Sequence, residues 1–161
     1  MSENNSVQKV GVASKEELVS LESSIWKEIT ISERLKLPHQ KPDIEQLTKV
    51  IVEVKIINQR LIETPTAPAP NPEGKLITGK KMIIEGLLKE KIIYVAECSE
   101  QSLHAAHFKV PFSVFLVAPA NAESEEEFEV KVFIEDIFIK VLSPREVFKN
   151  TVVFFSLEEV T

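Results

Sequence analysis

Three stretches carry the residue types that do chemistry: "HAAH" with His104 and His107, the single cysteine Cys98, and the carboxylates of "ESEEEFE" at 123–129. A metal site needs two or three nitrogen or sulfur ligands converging on one ion. The stretch that follows, "FKVPFSVFLV", is strand-like, and on a strand residues three apart point to opposite faces, so the two rings would not chelate together. His39 is the only other histidine, and no second cysteine assists. A nucleophilic thiol needs a positioned base and a lowered pKa. Glu97 and Glu100 flank Cys98 and would push its pKa up instead. The acidic run reads as a solvated loop. There is no Gly-x-Ser-x-Gly and no His-Glu-x-x-His. The residues therefore argue against an enzyme, with no catalytic residue, no metal and no cofactor expected.

The elements that would position any site are mostly strands. Val50, Val52, Val54 and Ile56 alternate with Lys49, Glu53 and Lys55, a half-buried strand with a solvated back. "TPTAPAPNPEG" (64–74) interrupts it as an extended proline-rich surface loop. "KLITGKKMIIEGLLKEKIIYVAE" then reads as strand, charged turn at Lys89-Glu90-Lys91, and strand, with Gly86 marking a bulge or a close neighbouring backbone. Pro111 predicts an edge position or a kink in "HFKVPFSVFLVAP". Phe128, Val130, Val132 and Ile134 alternate until the parity slips at Asp136 to Ile137, Ile139 and Val141, the trace of a β-bulge. "SPRE" (143–146) turns the chain into a last strand.

The N-terminal region differs. Ser14 and Glu17 form a capping-box pattern, and Leu18, Leu21 and Ile25 recur at helical spacing, predicting a short helix over 15–24. Pro38 and Pro42 forbid a continuous helix through "LPHQKPDIEQL", and Asp43 is placed to cap one turn over "IEQL". The whole pattern predicts a mainly β fold, an antiparallel β-sandwich or jelly-roll-like domain with a short N-terminal helix. Residues 1–24 form an arm and helix, and 25–161 a single β domain.

At 161 residues the chain is long enough for one core without staples. Its net charge of −6 disfavours nucleic acid and anionic membranes as partners. Four glycines are few for a phosphate-cradling loop. No secretory h-region and no membrane-spanning run is present in the sequence. Strand surface is what remains to work with. Unpaired edges are templates for other chains. Val7, Val10 and Val12 of the arm and Val152 and Phe154 of the closing strand are the candidates for self-association by strand addition. Cys98 is a candidate interchain crosslink.

Three phrases, "LPHQKPDIEQL", "GKLITGKKMIIEGLLKEKIIYVA" and "QSLHAAHFKVPFSVFLV", stand in the order and approximate spacing of the SPOCS domain. Over roughly residues 26–160 the chain resembles this domain of SipL-like spore coat morphogenetic proteins of endospore-forming bacteria. The resemblance implies a non-enzymatic β-rich module of the spore envelope, made in the mother-cell cytoplasm and deposited on the spore surface. Its implied partners are itself, as a homo-oligomer or polymer, and other spore-envelope proteins. SipL-like proteins add a C-terminal LysM module that contacts the coat's basement-layer ATPase; here the sequence ends at Thr161 without one. The expectation is a self-associating coat, exosporium or appendage subunit. The alternative is a monomeric module that recruits another coat protein or a glycan.

Overall fold

In a computed structural model, residues 6–22, 24–66, 70 and 77–160 are described. Seven strands are found there: β1 (Gln8–Val10), β2 (Trp26–Lys36), β3 (Ile44–Glu63), β4 (Lys80–Ala96), β5 (Leu103–Val117), β6 (Phe128–Ser143) and β7 (Glu146–Glu159). They form a four-stranded sheet in the order β1-β3-β4-β5 and a three-stranded sheet in the order β2-β7-β6. All pairings are antiparallel except that of β1 with β3. The fold is the expected mainly β, mostly antiparallel architecture with one short helix near the N-terminus.

Each long strand turns one parity inward. On β4 the buried series is Met82, Ile84, Gly86, Leu88, Glu90, Ile92, Tyr94 and Ala96, without a break. The predicted turn at Lys89-Glu90-Lys91 is therefore corrected: these residues lie mid-strand, and Glu90 takes its turn facing the interior. Val50 and Val52 from β3 and Ile134, Ile137 and Val147 from β6 and β7 close one half of the core. Met82, Ile84, Leu116, Val153, Phe155 and Leu157 close the other. A fully buried aliphatic or aromatic side chain contributes about 1.5–3 kcal/mol, so this double layer is the main source of stability.

The predicted irregularities locate real ones. The β6–β7 register shifts between Ile134 and Asp136, where the parity slips. At Gly86 an added Cβ would come within 2.5 Å of the Lys55 carbonyl oxygen and 2.7 Å of Phe112 Cζ, beside a register shift between Ile56 and Asn58. Pro111 lies on β5, an edge strand among the described residues, the position in a sheet where proline is tolerated. Of the proline-rich loop at 64–74, residues 67–69 and 71–74 lie outside the described residues.

The helix α1 is shorter than its pattern, Lys15–Val19 instead of 15–24. The capping box is made: Glu17 N–H donates to Ser14 Oγ at 3.2 Å, and Ser14 N–H to Glu17 Oε1 at 2.8 Å. None of its residues is buried, so nothing extends it past the local signal. Asp43 does not cap a turn, because Ile44 enters β3 directly. Asp43 Oδ1 instead accepts from Arg145 Nη1 at 2.7 Å. The same guanidinium donates to the carbonyls of Lys41 and Pro38, so the "LPHQKPD" crossing between the sheets is pinned to the β6–β7 turn.

Candidate interaction surface and the buried charge cluster

The arm closes the open side of the sandwich. β1 runs parallel to β3, with Gln8 opposite Lys49 and Val10 opposite Ile51. Two residues later Val12 bridges to Ile134 on β6, and Ala13 N–H donates to the Ile134 carbonyl at 2.8 Å. The arm thus hydrogen-bonds to an edge of each sheet in turn. Gly11 makes the crossing possible. Its φ is +115°, and an added Cβ would stand 2.1 Å from the Val52 carbonyl oxygen. Val7 packs against the core from the arm, while Val12 stays 41% exposed. A cleft of about 550 Å³ opens beside Val7, bordered by Lys9, Leu47, Phe138 and Val141.

Val152 and Phe154 fare differently. β7 is the central strand of its sheet, paired with β2 and β6 along its length, so it has no free edge to offer. Strand addition along the closing strand is excluded by that pairing. Phe154 instead faces outward and stacks on Trp26, with centroids 5.5 Å apart and planes at 19°. Trp26 is 46% exposed, and Phe133 lies across from Phe154 on β6. An aromatic platform occupies this outer face.

Cys98 is exposed in the β4–β5 loop. Its Sγ lies 3.8 Å from Ser102 Oγ, which in turn lies 3.0 Å from His104 Nε2. Hydrogen bonds from the Ser102 backbone and hydroxyl hold the thiol below its ordinary pKa, against the expectation from Glu97 and Glu100. His104 is half-buried and stacks on Tyr94, whereas His107 is exposed. Among the described residues no group of three or more His, Cys, Asp or Glu could hold a metal ion. No helix among them is long and apolar enough to cross a membrane.

The model of the SipL SPOCS domain family matches residues 43–142. The chain belongs to this family. No curated protein and no solved structure gives a significant match. The SPOCS match runs from the entry to β3 nearly to the end of β6. The arm, β2 and β7 of this SPOCS protein lie outside the matched segment.

This SPOCS protein also holds a buried charged group that the sequence pattern does not reveal. Lys149 on β7 is completely buried between the sheets. Its Nζ lies 2.5 Å from Glu90 Oε1 on β4 and 2.9 Å from Glu33 Oε1 on β2, and it also contacts Thr151 Oγ1. Glu33 is the cross-strand partner of Lys149 in the same sheet, whereas Glu90 comes from the facing one. Burial depresses the Lys149 pKa, and burial raises that of Glu33 against the opposing pull of Lys149. The carboxylate oxygens of both glutamates make no hydrogen bond of good geometry beyond the ion pairs. On the opposite face of the same sheet, Glu135 sits against Glu28. The hydrogen bond to Glu28, burial and the like charge push the Glu135 pKa up to about 7.

Proposed function

We propose that this protein is a non-enzymatic structural subunit of the bacterial spore envelope that associates with copies of itself through its N-terminal arm and open sheet edges. Membership of the SPOCS family supports the spore context. One observation carries the mechanism: the arm lies as a short strand in the cleft between β3 and β6, held by backbone hydrogen bonds to both. A cleft that accepts a strand from its own chain has the donors and acceptors to accept the same strand from a neighbour. Exchange of an identical element between protomers needs no new interface chemistry. Among the described residues β5 has a strand partner on one side only and is a further edge for lateral contact. Exposed Cys98, with its lowered thiol pKa, is placed to crosslink adjacent subunits once they are in register.

Light scattering after size-exclusion chromatography tests this reading. Full-length protein should elute as oligomers, and deletion of residues 2–13 should leave monomers. Assembly that survives the deletion intact would remove the arm from the mechanism. Oligomers crosslinked through Cys98 should run as dimers on non-reducing gels and as single chains in C98S. The second reading, a monomeric module that recruits a glycan or another coat protein, is favoured by the Trp26–Phe154 platform, because flat exposed aromatics suit such ligands. A strictly monomeric species at high concentration would select it.

A further inference from the structure

Lys149, Glu90 and Glu33 bring one amine and two carboxyl groups together in a buried space between two sheets. Isolated ions are expensive in such a place, and an ion pair recovers that cost only if its remaining atoms are satisfied. Here one positive charge faces two negative ones, and the carboxylate oxygens lack further hydrogen-bond partners of good geometry. Along their strands, Glu90 lies between buried Leu88 and Ile92, and Lys149 between buried Val147 and Thr151. A structural ion pair has no need of the third group. A condensation does.

We propose that Lys149 and Glu90 join in an intramolecular amide bond that staples β7 of one sheet to β4 of the other, with Glu33 as the proton relay. Transfer of a proton from the Lys149 ammonium to Glu90 gives a free amine and a carboxylic acid. The amine lone pair attacks Glu90 Cδ, forming the Nζ–Cδ bond. Glu33 takes a proton from nitrogen and returns one to the departing hydroxyl. The Cδ–O bond breaks, one water leaves, and Glu33 ends unchanged. No oxidant, reductant or other reactant is consumed. The 2.5 Å approach of Nζ to Oε1 puts the amine in attack range of the carboxyl carbon. Fixed partners of this kind reach effective molarities on the order of 10⁵–10⁸ M. Burial disfavours the ammonium of Lys149, as the first step requires, and by raising the Glu33 pKa makes that carboxylate a better acceptor for the proton it takes from nitrogen and passes on. Glu90 is the acceptor because its side chain is fully buried and it is the nearer of the two, whereas Glu33 is 11% exposed. The product replaces both buried charges of the pair with a neutral amide.

Intact-mass spectrometry of the folded full-length protein decides the matter. The wild type should weigh one water less than its sequence. Tryptic digestion should yield a branched peptide joining Lys149 to Glu90, with no cleavage after Lys149. K149A and E90A should keep the full sequence mass. E90Q, if it reacts, should lose ammonia instead of water, and E33Q, folded by circular dichroism, should remain unlinked. Wild-type protein at full mass after long incubation, with linear peptides recovered around both residues, would overturn the proposal. So would a water loss that maps to any other pair. The wild-type measurement alone is sufficient if a variant does not fold. It is also independent of whether the protein assembles.

Discussion

Replacing Gly11 with alanine tests the arm's seat more sharply than deleting the arm, because every other contact is left in place. The new Cβ would lie 2.1 Å from the Val52 carbonyl oxygen, a backbone atom that cannot move aside without breaking the β3 ladder. The φ of +115° adds strain that a side chain bears poorly. The cheaper outcome is release of the arm. Release forfeits the β1–β3 ladder and the hydrogen bond from Ala13 to Ile134, together about 2–3 kcal/mol, and the partial burial of Val7, about 1–2 kcal/mol. The expected destabilisation is about 3–5 kcal/mol, which for a domain of this size lowers Tm by roughly 6–20 °C. Hydrogen exchange by NMR locates the effect. In G11A the amides of Val10 and Ala13 should lose protection, while those of Ile84 and Ile92 on β4 keep theirs. An Ala13 amide that stays protected in G11A, with Tm unchanged, would refute the reasoning. G11A should also fail to assemble, because a neighbour's arm would meet the same carbonyl.

Further outcomes follow from single side chains. Glu135 has a folded pKa of about 7, above its unfolded value of 4.5, so the folded state holds the extra proton between those limits. Stability is therefore lost as pH rises from 4.5 through 7, and E135Q should flatten that loss. After solvent screening the gain of E135Q should be about 0.5–1 kcal/mol at pH 8 and vanish near pH 4, read from urea midpoints. R145A removes three of the hydrogen bonds that pin residues 38–43, two of them to part-buried groups, and leaves those from Tyr94 and Glu97. It should cost about 1–2 kcal/mol and open Lys41 to limited tryptic cleavage.

Strand parity made most of the fold legible. The Asp136 slip followed from a local rule, and the rules at Gly86 and Pro111 each left two outcomes, of which the structure shows the close approach and the edge position. Reading Lys89-Glu90-Lys91 as a turn shows where such rules mislead. Even-numbered residues on β4 stay inward from Met82 to Ala96, so periodicity argues for one strand, and the charges at 89–91 point the other way only because Lys89 and Lys91 lie on its outer face. The buried cluster is hidden for a related reason. Glu33, Glu90 and Lys149 each stand at an inward position of an apolar alternation, but only tertiary pairing shows that their charges meet. Which strand lies at a sheet edge is likewise a matter of topology. That is why β7, rich in Val and Phe, read as a strand-addition segment and proved to be the centre of its sheet. The arm's valines were visible in the sequence; the cleft that receives them was not.

Negative-stain electron microscopy of the concentrated full-length protein, beside the variant lacking residues 2–13, addresses self-association through the arm most directly. Ordered filaments or sheets from the full-length chain and dispersed particles from the variant are the predicted result. Monodisperse monomers from both, or the same polymers from both, would contradict it.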